Sequence, residues 1–274
     1  MDKGSEQQKR LASEPHVAYH YLISRMTTCP QNSTDPQNGG PTNGHRLKVG
    51  DSHIYFRKAG SGPPVVLLHG GSSDSSDWIE TMAALSITHT LYAPDLAGYG
   101  SSDRNRDGYR LSDFVESTVE FLRTLGVDSA VMVGHSLGGR IGLEIAFLHP
   151  RMVSRLVLID TAGFSKLGRL GSFLGSTAWR LRKLMRHPQP YPRFIKENGA
   201  YADWLCLDKL SGLEVPTLMV WSRYDPYYPL AGAIKAKQLI PQARLEVFPG
   251  YGHAPHRKER DSFNRILLAF LAQS

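Results

Sequence analysis

The chain has 274 residues, 41% hydrophobic and 21% charged, enough for one full core with room for an inserted subdomain. No apolar run reaches the ~20 residues of a bilayer span, and the N-terminal M-D-K-G-S-E-Q-Q-K-R leads into no apolar signal core, so neither a membrane-spanning nor a secreted protein is expected. The net charge of +7 is local: residues 161–196 hold eight Lys or Arg and no Asp or Glu, against 24 basic and 25 acidic residues elsewhere, and no nucleic-acid signature accompanies them.

Residues 1 to about 45 read as a poorly ordered extension, because Q-N-S-T-D-P-Q-N-G-G-P-T-N-G is turn and linker chemistry without a hydrophobic period. Two β-like runs, Arg46–Val49 and His53–Lys58, flank Gly50-Asp51-Ser52, a hairpin turn by composition. Val65–Leu68 is apolar without alternation, as suits a strand buried on both faces of a parallel sheet. A helix near Asp77–Leu85 and a strand at Thr90–Ala93 follow. Next come a helix over Leu111–Leu125, with Ser112 as candidate N-cap and Gly126 at its end, and a strand at Ala130–Val133. The helix Leu137–Leu148 stops at His149-Pro150, and Leu156–Ile159 is the next strand. After a break come strand Thr217–Trp221, helix Leu230–Leu239, strand Leu245–Phe248 and a last helix near Arg260–Leu271. Strands alternating with helices predict an α/β protein with a mainly parallel, doubly wound sheet.

The stretch from about 162 to 213 breaks this rhythm and reads as an inserted helical cap on a domain spanning 46–274. Leu170, Phe173, Leu174, Leu181, Leu184 and Met185 fall on one helical face, with Arg180, Arg182, Lys183 and Arg186 largely off it. That pattern predicts a lid whose apolar face covers a pocket and whose charges are solvated. The same charges suit an anionic substrate, and less well the surface of an anionic membrane.

Chemistry concentrates at V-G-H-S-L-G-G, residues 133–139. Ser136 falls between a predicted strand and a predicted helix, at a G-x-S-x-G spacing. A sharp strand-to-helix turn forces such a serine into an unfavourable backbone conformation, and small residues two positions either side, here Gly134 and Gly138, avoid clashes. The helix beginning at Leu137 aims its amides at the site, which favours developing negative charge. A serine hydroxyl needs a base, and the base an orienting carboxylate. Asp225 follows T-L-M-V-W in the loop S-R-Y-D-P, and His253 follows L-E-V-F in P-G-Y-G-H-A-P; Asp160, closing L-V-L-I, competes for the acid role, and His256 for the base role.

Five motifs in order, L-L-H-G-G, A-P-D-L-A-G-Y-G-S-S-D, V-G-H-S-L-G-G, W-S-R-Y-D-P-Y-Y-P and G-Y-G-H-A-P-H, make the chain from about Arg46 to Gln273 resemble the α/β-hydrolase superfamily. The resemblance implies a triad of Ser136, Asp225 and His253. It also implies an oxyanion hole from the amides of Leu137 and Gly71, with Ser72 as second choice. Asp95 is family-typical and structural, and His69 organises its loop. His135, Ser72, Trp179 and Tyr191 are expected in the substrate pocket, with Phe194, Tyr201 and Trp204 adding aromatic lining.

Departures narrow the chemistry. Ser136 stands where haloalkane dehalogenases and epoxide hydrolases carry Asp. Leu137 stands where proline iminopeptidases have Trp, and Ala254 where hydrolases of aromatic meta-cleavage products usually have Trp. The expected activity is hydrolysis of a carboxylic ester or lactone of a small, mostly apolar molecule through an acyl-enzyme. Carbon–carbon hydrolysis of a meta-cleavage-type diketone is the alternative, and a non-catalytic ligand receptor on the same scaffold ranks last. No cofactor, metal site or nucleic-acid partner is expected: no G-x-x-x-x-G-K-[ST] occurs, and no His, Cys and carboxylate spacing reads as a metal motif. Cys29 and Cys206 do not suggest a disulfide framework, which fits a cytoplasmic setting. Oligomeric state is left open.

Overall fold

The computed structural model describes residues 43–104, 109–184 and 205–273. An eight-stranded sheet runs through it. Its strands are β1 (Asn43–Val49), β2 (Ser52–Ala59), β3 (Pro64–Leu68), β4 (Thr90–Pro94), β5 (Ala130–His135), β6 (Val153–Ile159), β7 (Thr217–Tyr224) and β8 (Arg244–Tyr251). The spatial order is β1-β2-β4-β3-β5-β6-β7-β8. The β1–β2 and β2–β4 pairs are antiparallel and all later pairs parallel. The fold is thus the mainly parallel α/β-hydrolase arrangement expected from the sequence. The first strand starts at Asn43, three residues ahead of the expected Arg46, and Val49 pairs with Ser52 across a two-residue turn. Gly50 has φ +56, the left-handed conformation that the first turn position of such a hairpin needs.

The helices are α1 (Ile79–Leu85), α2 (Leu111–Thr124), α3 (Leu137–Leu148), α4 (Arg169–Leu184), α5 (Leu230–Leu239), α6 (Pro255–Lys258) and α7 (Arg260–Leu271). Alternate residues of the central strands feed two cores, the physical meaning of their unbroken apolar runs. Val66, Leu68, Met132, Leu156, Leu158 and Met219 join Phe114, Ile141 and Ala233 of α2, α3 and α5. Val65, Leu67, Val133, Val157, Ile159 and Val220 join Met82 of α1 and Phe263 and Leu267 of α7. Full burial of each such side chain stabilises by about 1.5–3 kcal/mol, so both faces hold the sheet rigid beneath whatever its strand ends carry.

Two expectations are corrected. The N-cap of α2 is Arg110, not Ser112, and the Asp113 carboxylate accepts from the Arg110 amide at 3.0 Å. Asp113, at the third helical position, thus satisfies a free backbone donor ahead of the helix, and Ser112 lies inside the first turn. Among the described residues nothing covers the apolar face of α4: Leu170, Phe173, Leu174, Leu181 and Leu184 are all exposed, Leu184 to 80%, and Met185 lies outside the described residues. Small residues make the contact instead. The amides of Gly168 and Gly171 donate to the carbonyls of Tyr227 and Pro226, and a Cβ at Gly171 would stand 2.6 Å from the Tyr227 Cα. The backbone approach that anchors α4 therefore uses its glycines, not its leucines.

Candidate active site

The chain leaves β3 toward β4 on one side of the sheet and later returns to place β5 on the other. In such sheets the loops after the two strands diverge and leave a crevice at their carboxyl ends. Ser136 sits at that point, one residue past β5. Its φ of +52 and ψ of −110 put a non-glycine residue in the left-handed region, where strain costs on the order of 1–3 kcal/mol. Surrounding contacts hold it there. A Cβ at Gly134 would come within 2.4 Å of the Gly138 carbonyl oxygen, and one at Gly138 within 2.2 Å of the Leu68 carbonyl oxygen. The Ser136 amide donates to the Ile159 carbonyl at 2.8 Å, and its own carbonyl accepts from Arg140 and Ala162.

The loop after β3 closes on this corner. A Cβ at Gly70 would lie 2.7 Å from His135 Nδ1 and 3.4 Å from the Ser136 Cβ. His69 shapes that loop: its Nδ1 donates to the Gly70 carbonyl at 2.8 Å, while its Nε2 accepts from the Leu96 amide at 2.9 Å. Burial holds its pKa below the usual histidine value. Asp95 accepts from the amides of Ser75 and Ser101, both at 2.7 Å, and so ties the next loop down. Gly71 is half-buried and Ser72 exposed, both on the turn that follows His69 and Gly70. Leu137, buried, opens α3.

From the far side of the sheet come Asp225 and His253. Asp225 lies one residue past β7; its Oδ1 accepts from the Tyr227 amide at 2.7 Å and its Oδ2 accepts from His253 Nδ1 at 2.8 Å. Asp160, closing β6, is also close: its Oδ2 is 3.9 Å from the same Nδ1. Burial alone would depress the His253 pKa. The Asp225 hydrogen bond and charge, with the Asp160 charge, outweigh it and hold the imidazole above its ordinary value. The rings of Tyr227 and Tyr228 flank His253 at centroid distances of 4.6 and 5.5 Å.

His135 is 7% exposed, and its Nε2 donates to the His253 carbonyl, so it braces the histidine loop from below. His256 sits deeper, stacked on Trp78 at 4.7 Å and 4.6 Å from the His135 ring. Its burial, with the Arg257 and His253 charges, pushes its pKa down to about 3. It is a neutral packing group rather than a base facing a crevice. Among the described residues two groups bring three potential ligand atoms together, Asp160 with Asp225 and His253, and Asp77 with His135 and His256. The first is the acid–imidazole cluster itself. In the second, Arg257 pairs with Asp77 at 3.1 Å and sets a positive charge against any cation.

A description of the alpha/beta hydrolase fold matches residues 63–203 and 164–258, which include Ser136, Asp225 and His253. The chain belongs to the alpha/beta hydrolase family. Within this family, 2-hydroxymuconate semialdehyde hydrolase of Pseudomonas putida is 28% identical over 277 aligned positions, covering 85% of this chain and 96% of its own. A meta-cleavage product hydrolase from Pseudomonas fluorescens superposes with a TM-score of 0.69 at 24% identity, covering 83% of this chain and 97% of that one. An enol-lactonase from Burkholderia xenovorans gives 0.68 at 20% identity, covering 84% and 100%. The two superpositions establish a shared fold.

Of the residues expected at the site of this alpha/beta hydrolase, Asp225 and His253 are in direct contact, and Ser136 occupies the neighbouring corner beside His135. Trp179 lies on α4, where its side chain is outside the described part, and Tyr191 lies outside the described residues altogether. The contact between His135 and the His253 carbonyl was not foreseen. Its signal in the sequence is a histidine directly ahead of the elbow serine, whose strand-end position turns it under the neighbouring loop. A surface cavity of about 380 Å³ lined by Arg123, His149 and Met152 lies near the amino ends of β5 and β6, the opposite edge of the sheet from this cluster. No helix among the described residues is long and apolar enough to cross a membrane.

Proposed function

We propose that the protein is a serine hydrolase that cleaves a carboxylic ester or lactone through an acyl-enzyme. The observation that carries this reading is the 2.8 Å contact between Asp225 Oδ2 and His253 Nδ1. Nδ1 carries the proton in that bond, so Nε2 of the neutral ring keeps a lone pair, the acceptor that a serine hydroxyl requires. His253 takes the Ser136 proton as Ser136 attacks the carbonyl carbon. The amides of Leu137 and Gly71 receive the oxyanion, and His253 returns the proton to the leaving oxygen. Water, deprotonated by the same imidazole, then releases the acyl group. Asp225 keeps the tautomer correct and stabilises the imidazolium.

In this reading the segment 162–213 is a cap over a small, mostly apolar substrate, and its net basic charge favours an acidic one. A reducing, cytoplasmic setting suits the buried Cys206, whose thiol burial pushes up to about 11 and thereby keeps protonated. The test is active-site labelling with a fluorophosphonate probe, competed with panels of esters, lactones and diketones. Labelling of wild type but not Ser136→Ala, competed by esters or lactones, supports the assignment. Equal labelling of both proteins ends it.

A second reading, carbon–carbon hydrolysis of a meta-cleavage-type diketone, draws support from the relative named 2-hydroxymuconate semialdehyde hydrolase. Ala254, where such enzymes usually hold tryptophan, favours the ester reading. Turnover of a ring-cleavage diketone with no turnover of simple esters would reverse that preference.

A further inference from the structure

Two carboxylates converge on one imidazole. Asp225 bonds His253 Nδ1 at 2.8 Å, and Asp160, fully buried, places Oδ2 at 3.9 Å from the same nitrogen. Asp160 is held there firmly. Its amide donates to the Val220 carbonyl at 3.0 Å; its Oδ1 accepts from the Ser222 amide at 2.8 Å, and its Oδ2 from the Ser222 hydroxyl at 2.9 Å. Its φ is +40; Ser136 is the other non-glycine with positive φ among the described residues. Chains keep a strained, buried carboxylate where a charge or a directed bond is needed. A tie between β6 and β7 needs only a neutral acceptor; among the described residues the cation-forming group beside Asp160 is His253.

We propose that Asp160 is a second positioning carboxylate for His253, sharing the stabilisation of its imidazolium with Asp225 and taking over that role when Asp225 is absent. The proposal rests on the reading of Ser136 and His253 as nucleophile and base. The groups facing His253 are Asp225, Asp160, His135 backed by His256, and the rings of Tyr227 and Tyr228. Those facing Asp160 are His253, Asp225 and Ser222. Burial raises the Asp160 carboxyl, the His253 charge draws it back and Asp225 pushes it up again, to about 7 overall. A proton arriving on the imidazole favours the carboxylate form. Removing the Asp225 charge does the same, and Oδ2 then needs to close only the gap between 3.9 and 2.8 Å to bond Nδ1.

The test follows fluorophosphonate inactivation rates against pH in the full chain for wild type, Asp160→Asn, Asp225→Asn and the double variant, with a melting curve for each. Loss of a sole orienting carboxylate lowers the rate about 10⁴-fold. Asp225→Asn is expected to stop roughly 10–100-fold short of that loss, and the double variant to reach it. Asp160→Asn alone is expected to move the acid limb of the profile to lower pH, because one charge that raises His253 is gone. The proposal is overturned if Asp225→Asn is already as slow as the double variant, or if the acid limb of Asp160→Asn stays where it is. Should Asp160→Asn fail to fold, the size of the Asp225→Asn loss decides alone: stopping short of about 10⁴-fold supports the proposal, and reaching it overturns the proposal. If Ser136→Ala labels like wild type, the parent reading has failed; if it does not label and Asp225→Asn equals the double variant, the role of Asp160 alone has failed.

Discussion

The carboxyl ends of β5 to β8 and the helix α4, which lies between β6 and β7 in the chain, both carry large apolar side chains but have opposite surroundings. Val133, Leu158, Ile159 and Val220 are 0% exposed, whereas Phe173 and Leu184 on α4 are 68% and 80% exposed. In the sheet, helices on both faces leave a strand residue nowhere to go but into a core. On α4, the backbone contact at Gly168 and Gly171 fixes one point of the helix and leaves its leucines outside. Rigid strand ends can hold hydrogen bonds at 2.7–2.8 Å around Asp225 and His253.

The widest gap between the regions should appear in catalysis. Ser136→Ala is expected to lower kcat about 10⁶-fold while leaving the melting curve in place; a loss under tenfold would remove Ser136 from the mechanism. Next, Leu158→Ala on β6 should destabilise by about 2–5 kcal/mol in urea unfolding. Gly138→Val should cost about 1–3 kcal/mol or more, because its Cβ meets the Leu68 backbone and not a yielding side chain. A wild-type melting curve for either would mean the strand ends are looser than described. Smaller is the pH response. His135 and His256 are both held below the ordinary histidine value by burial, so the unfolded chain binds the extra protons. Their contribution is complete above about pH 6.5 and is lost as pH falls toward 3. His256→Phe, which keeps a ring on Trp78, should flatten the thermal stability profile over that window. At the bottom of the scale, Phe173→Ser on α4 should change stability by no more than about 0.5 kcal/mol. A loss of 2 kcal/mol would show that the α4 face is covered in solution and erase the contrast.

Much of this was legible in the amino-acid order, and unevenly so. Val65–Leu68 and Leu156–Ile159 announced doubly buried strands, since an unbroken apolar run has few other stable homes. Asp225 and His253 could be named because each follows a strand at the position the family resemblance implies. The distance from Asp160 to His253 was not readable. It depends on the β6–β7 register, which pairs Ile159 with Val220 and brings Ser222 against the Asp160 carboxyl. Nor was the anchoring of α4: helical periodicity identifies an apolar face without identifying what lies against it, and the glycines that make the contact carry no hydrophobic signal at all.

The corner at Ser136 is fashioned by what surrounds the serine and not by its side chain. Gly134, Gly138 and the carbonyls of Leu68 and Ile159 set the backbone before any hydroxyl is considered. The position therefore behaves as a socket. A cysteine placed there by a protein engineer meets the same backbone setting, formed by its neighbours and not by the hydroxyl it replaces.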